Sequence, residues 1–136
     1  QQYLKTIKKP FALATLTFGY GLAVTPLQLA RAYAILANKG EATPLSLLAI
    51  DEPPTNLMRV FPEKETVQVM HMLETVVEEA ATKAQVEGYS VAGKTGTTRV
   101  LSAKGYEKER HNSIFVGFAP ATNPRLVVAI TLTDIP

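Results

Sequence analysis

Gly88-Tyr89-Ser90-Val91-Ala92-Gly93-Lys94-Thr95, continued by Gly96-Thr97-Thr98-Arg99, is the stretch on which the fold turns. As spelled, residues 88–95 match G-x-x-x-x-G-K-[ST], a loop whose backbone amides cradle phosphate. That reading requires a buried strand before Gly88 and a helix opening at Lys94-Thr95, where helix N-termini face anions. The flanks point elsewhere. Residues 63–84 carry a long helical pattern ahead of the motif, and Thr97, Thr98 and Val100 behind it are β-branched. Tyr89, Ser90, Val91 and Ala92 read as a strand entering, so residues 90–98 are expected to be extended.

An extended ribbon gives each residue a chemical place. Side chains alternate faces, so Thr95, Thr97 and Arg99 share one side and Lys94 takes the other. On an edge strand beside a cleft both sides can reach a ligand. Lys94 would set a positive charge near a nucleophile, Thr95 and Thr97 would offer hydroxyls to a carboxylate, and Arg99 would add charge. Gly96, lacking a Cβ, would admit a ligand backbone. Lys94-Thr95-Gly96 is also the K-T-G element of certain serine acyl-transfer enzymes. An ordinary strand with a surface lysine fits the same tripeptide, so K-T-G alone does not decide.

The 136 residues suit one domain or one module of a larger one, long enough for a real core. Charged residues make up only 19%, which suggests apolar surface meeting another part of the same protein. A net charge of +2 without a Lys/Arg run argues against nucleic acid. The absence of Cys excludes disulfides and thiolate metal sites, and His71 and His111 lie too far apart in sequence to suggest a metal. No apolar run approaches the ~18 residues of a membrane span. Without a signal-peptide pattern, the start at Gln1 is expected to be internal.

Taken in order, residues 1–10 read as a polar, basic lead-in. Residues 11–18 alternate loosely and fit either strand or buried loop. Phe18-Gly19-Tyr20-Gly21 is glycine punctuation. A helix follows: Thr25 as N-cap, Pro26 at its first position, Gln28 closing a capping box, and Gly40 as its stop. Its apolar face is expected to carry Leu27, Ala30, Tyr33, Ala34 and Ala37. Residues 41–62, rich in proline, are expected to loop, with a short strand over 45–50. A second helix begins after Pro62, with Glu63 and Glu65 in its first turn and Val67, Met70, Leu73, Val77 and Ala80 facing the core. His71 reads as a helix-packing or half-exposed side chain, and Met70 and Met72 as core filler. Residues 101–112 read as a charged hairpin loop, and 113–119 and 126–133 as strands around a turn at Asn123-Pro124. The fold class expected is α+β, an antiparallel β-meander covered by helices.

Motifs that are missing bear equally on function. Ser46, Ser90, Ser102 and Ser113 are followed three residues later by Ala49, Gly93, Gly105 and Val116, so no Ser-x-x-Lys nucleophile motif occurs. Neither Ser-x-Asn, G-x-S-x-G nor H-E-x-x-H occurs. This chain by itself is not expected to perform acyl transfer.

Phe18-Gly19-Tyr20-Gly21, then Val24-Thr25-Pro26-Leu27-Gln28-Leu29-Ala30, then Lys94-Thr95-Gly96-Thr97, then Gly117-Phe118-Ala119-Pro120 closely resemble class B penicillin-binding proteins, the division-specific peptidoglycan transpeptidases above all. The resemblance covers residues from about 15 onward, and four ordered blocks are far more specific than K-T-G alone. It implies part of a penicillin-binding, β-lactamase-like transpeptidase domain. Residues 1–136 would be a single module lacking the Ser-x-x-Lys and Ser-x-Asn segments and the last helix. It implies a D,D-transpeptidase, with no cofactor and no metal. That enzyme would cross-link stem peptides ending in D-Ala-D-Ala at the septum through an acyl-enzyme and bind β-lactam antibiotics. The parent would face the periplasm from the bacterial inner membrane and meet division proteins. Lys94 would tune the nucleophile, Thr95 and Thr97 would receive the substrate carboxylate, and the Thr97 backbone N–H would be half of an oxyanion hole. Gly96 and Arg99 would lie against the ligand. A β-lactam sensor or serine β-lactamase fragment shares K-T-G and stays open, although Val24-Thr25-Pro26-Leu27 favours the transpeptidase. The nucleotide-binding loop stays open as the remote alternative.

Overall fold

The computed structural model describes residues 10–17, 19, 23–102 and 105–135. The expected lead-in over 1–9, and Phe18, Tyr20 and Gly21 of the glycine punctuation, lie outside them. Residues 11–18, read above as strand or loop, are corrected: Pro10–Leu16 is a helix, α1, with proline at its first position, where no N–H is needed.

Helix α2, Pro26–Ala37, starts where its cap chemistry dictates. The Gln28 amide donates to Thr25 Oγ1 at 3.2 Å, and the Thr25 amide donates to Gln28 Oε1 at 2.9 Å. Two amides that the first turn cannot satisfy are thereby paired. Thr25→Ala should cost about 1 kcal/mol of stability, measurable by urea unfolding; an unchanged midpoint would show that the cap is idle. Beyond the last residue of α2, Ala37, the chain is turned off at Gly40, whose φ of +92° is open to glycine and whose amide reaches back to the Ile35 carbonyl at 2.8 Å. A Cβ there would stand 2.3 Å from the Phe61 carbonyl oxygen, so glycine also permits the following chain to close. Leu27, expected on the packed face, is exposed, whereas Tyr33 and Ala37 meet the core as expected, joined by Leu36. Burial pushes the Tyr33 phenol above its ordinary pKa.

Residues 45–50 form no strand, and Leu47 is 95% exposed. The pairing made in this region is between β1, Glu41–Ala42, and β2, Met58–Arg59, braced by an Arg59–Glu41 ion pair at 2.6 Å. The backbone chose the ends of the segment over its apolar middle, where Pro53 and Pro54 follow closely and cannot donate to a ladder.

Helix α3, Glu63–Glu79, buries Thr66, Met70, Leu73 and Val77, a period of three to four. Val67 is half-buried, while Ala80 and Met72 are exposed, Met72 by 65%, so Met72 is not core filler. His71 is exposed and 3.8 Å from Glu74. The helix stops five residues before the expected limit of 84. Gln85 Nε2 turns back onto the carbonyls of Val77 and Glu78, and a separate 3₁₀ turn spans Thr82–Ala84.

Three strands complete the fold: β3, Ala92–Ser102; β4, Gly105–Ala119; and β5, Leu126–Ile135. They form an antiparallel meander in the order β3-β4-β5, as expected. The charged hairpin loop expected over 101–112 is corrected. Strand β3 runs on to Ser102, and β4 resumes at Gly105, paired with it. Glu107, Lys108, Glu109 and Arg110 are thus residues of β4, and Arg110 pairs with Asp134 of β5. On one face of the sheet Ala92, Phe118 and Val127 meet α2 and α3, with Met70, Leu73 and Ala121 closing the core. The opposite face presents Leu126, Val128, Ile130 and Leu132, each about half exposed or more.

Candidate active-site wall

Strand β3 is an edge: β4 lies on one side, and no strand among the described residues pairs its other side. Every second residue of an edge strand turns an N–H and a C=O outward, free to pair with another extended chain. Gly93-Lys94-Thr95 sits inside this strand and opens no helix. The phosphate-loop reading is thereby overturned, because an extended strand turns successive amides in opposite directions and cannot gather them around one anion. The turn is made earlier, at Gly88 with φ +80°, in a bend bridged by Val86 and Tyr89. Ser90 is structural: its Oγ accepts from the Ala121 amide at 2.9 Å.

Register places each expected site residue. Thr95, Thr97 and Arg99 stand opposite Phe115, Ser113 and His111, and Lys94 and Gly96 stand opposite Val116 and Ile114. Residues facing one another share a sheet face. Lys94 therefore lies on the helix-packed face and Thr95, Thr97 and Arg99 on the other, as alternation requires. All five β3 residues from Lys94 to Thr98 are exposed, as is Arg99. Lys94 Nζ donates to the Thr95 carbonyl at 3.0 Å, so the ammonium group is folded back on the edge strand.

The three glycines around the motif differ in kind. A Cβ on Gly93 would lie 2.7 Å from Phe115 Cζ and 2.9 Å from the Val116 carbonyl, so Gly93 makes room for a ring that tucks beneath β3. Gly117, its partner across the ladder, would set a Cβ 2.5 Å from the Ala92 carbonyl. Around Gly96 a Cβ would meet nothing within 4 Å. The two crowded glycines serve packing, and the uncrowded one borders solvent beside Lys94.

Thr95, Gly96, Thr97, Ser113, Ile114, Phe115, Ile130 and Leu132 line a concavity of about 250 Å³. A second hollow of about 600 Å³ adjoins it at Thr95, Phe115 and Ile130 and extends to the 3₁₀ turn. The structure thus brings Thr95 and Thr97 together and keeps Lys94 and Arg99 off this lining. Phe115 and Ser113 are the residues missed by sequence reasoning. The only signal for them was period-two alternation on β4, and alternation without register does not tell which β3 residue each one faces. Among the described residues no group of three or more His, Asp or Glu side chains could hold a metal.

A family model described as penicillin binding protein transpeptidase domain matches residues 3–136. The chain is 43% identical over 123 residues to a probable peptidoglycan D,D-transpeptidase PbpC of Pseudomonas aeruginosa, covering 89% of this chain and 22% of that protein. It is 42% identical over 123 residues to the peptidoglycan D,D-transpeptidase FtsI of Escherichia coli K12, covering 89% and 21%. Among solved structures, the TP domain of Burkholderia pseudomallei penicillin-binding protein 3 superposes with a TM-score of 0.83 at 41% identity, covering 91% of this chain and 38% of that one. The chain spans about a fifth of the length of the curated relatives it matches.

Proposed function

This chain belongs to the family of penicillin-binding protein transpeptidase domains, and on that premise we propose that it is the C-terminal module of a peptidoglycan D,D-transpeptidase. Its β3 edge forms one wall of the active site. The observation that carries this reading is the extended, exposed edge over residues 94–99, bordered by open space at Gly96.

Catalysis in this reading is divided between the wall and a nucleophile elsewhere in the longer polypeptide. A stem peptide ending in D-Ala-D-Ala lies along β3. Thr95 and Thr97 donate their hydroxyl hydrogens to its terminal carboxylate, each a charge-assisted bond. Gly96 lets the peptide backbone approach, and Arg99 lies further along the strand with a positive charge for the ligand. The Thr97 backbone N–H supplies one donor for the oxyanion that develops when a serine oxygen attacks the carbonyl. The Lys94 ammonium group turns from its present bond to Thr95 toward that serine, where a positive charge favours the alkoxide. The attack expels D-alanine and leaves an acyl-enzyme, which an amine of a second stem peptide resolves into a cross-link. A β-lactam opens in the same way but keeps its leaving group tethered.

We further propose the septal role that the family resemblance implies, with the catalytic domain at the periplasmic face of the inner membrane and division proteins as partners. The decisive experiment is labelling with a fluorescent penicillin. The full-length polypeptide is expected to form an adduct that survives denaturation, whereas residues 1–136 alone stay unlabelled because they contain no Ser-x-x-Lys. Labelling of the isolated chain would overturn the division of the site. Failure of the full-length polypeptide to label would overturn acyl transfer altogether, and rapid turnover of the penicillin would point to a β-lactamase.

A further inference from the structure

Ser113 faces Thr97 directly across β3 and β4. Paired residues of this kind stand on one face with Cβ atoms about 5 Å apart. With Thr95 they place three hydroxyls around the concavity of about 250 Å³, whose side-chain walls are otherwise the apolar groups of Phe115, Ile130 and Leu132. Leu132 lies opposite Ser113 on β5 and Ile130 opposite Phe115, so apolar side chains flank Ser113 on its other side. A half-buried hydroxyl in such surroundings is driven to the polar atom within reach. At this spacing one staggered rotamer of Ser113 would set Oγ toward Thr97 Oγ1, and the hydroxyl hydrogen can then turn about Cβ–Oγ to meet it.

We infer that Ser113 is a positioning residue for Thr97. The Ser113 O–H donates to Thr97 Oγ1, and the Thr97 O–H donates to the carboxylate of the bound ligand. Such a chain is directional. An anion at its end draws each proton toward itself, so each bond polarises and strengthens the next. Without Ser113 the Thr97 hydroxyl loses the donor behind it and is free to swing off the carboxylate. The effect belongs to ligand capture rather than to bond breaking. This inference rests on the reading of Thr97 as a carboxylate-binding group.

The test measures acylation of the full-length polypeptide against fluorescent penicillin concentration for wild type, S113A, S113T, T97V and the S113A/T97V double variant. S113A should raise the half-saturating concentration about fivefold, the worth of one hydrogen bond of ordinary strength. Its limiting rate should stay within about a factor of two, the pattern of lost ground-state binding. S113T, which restores the hydroxyl, should recover most of the loss. In the T97V background S113A should change little, because coupling is lost with the partner. Ser113→Cys, close in shape and a weak donor, carries the same cycle if the alanine variant does not fold. Equal losses with and without Thr97, or no loss in either, would overturn the inference. A wild-type protein that takes up no penicillin would overturn the transpeptidase reading and this inference with it. A labelled wild type indifferent to Ser113 would overturn this inference alone.

Discussion

Lys94→Ala in the full-length polypeptide should slow acylation by penicillin about 100-fold or more, the scale on which loss of one electrostatic contact to a developing charge is felt. The side chain is exposed, and its one hydrogen bond is to the carbonyl of the next residue. Removing it should leave thermal unfolding unchanged within about 0.5 kcal/mol, as for surface substitutions in general. Lys64→Ala, another exposed lysine but on α3, serves as the control and should label like wild type. Lys94→Arg should recover only part of the rate, since a planar, always-charged guanidinium does not replace a compact ammonium group. Full-rate labelling of Lys94→Ala would place the reacting groups away from β3 and end the proposed division of the site.

Gly117→Val should unfold the domain or cost it about 3–5 kcal/mol, because overpacking against backbone has no side chain to yield. A Cβ at this position would meet the Ala92 carbonyl at 2.5 Å, Phe115 Cζ at 3.0 Å and the Gly93 Cα at 3.1 Å. Gly117 pairs with Gly93 on the face away from the helices, so the strain falls between β3 and β4 against the Phe115 ring, directly beside the buried Ala92 and Phe118. A Cβ at Gly96 would meet nothing within 4 Å, so Gly96→Val should fold normally. Gly96→Val should nonetheless weaken penicillin acylation, because it fills the space through which a ligand backbone would approach. Matched losses of stability at both glycines, read by thermal unfolding, would show that Gly96 is as much a packing residue as Gly117.

Several features were legible because they are local. The start of α2 follows from Thr25, Pro26 and Gln28, residues whose capping bonds form within one turn. The extended state of Lys94 follows from the β-branched residues beyond it, strong enough to outweigh a perfect match to a phosphate loop. Other features were not legible, and for a common reason. The α1 segment is a helix of seven residues, about two turns, too short for a 3.6-residue period to show. The strands of 101–112 carry charges that suit a loop equally well, until register with β3 and β5 gives them a ladder. Leu27 and Met72 have apolar side chains at helical spacing and still face solvent, since spacing defines a stripe but not its width.

The amino-acid sequence by itself determined the family, the meander that ends the chain, the capped helix and the set of hydroxyl and cationic side chains on one strand. These rest on short-range propensities and on ordered blocks of residues, which survive without knowledge of contacts. Only the tertiary structure decided that β3 is an edge, that Gly93 and Gly117 are crowded while Gly96 is not, and that Ser113 stands behind Thr97. Each of these depends on which residue of one strand lies beside which residue of another. A slip of one position would send every side chain to the opposite face, and nothing within a single strand specifies that choice.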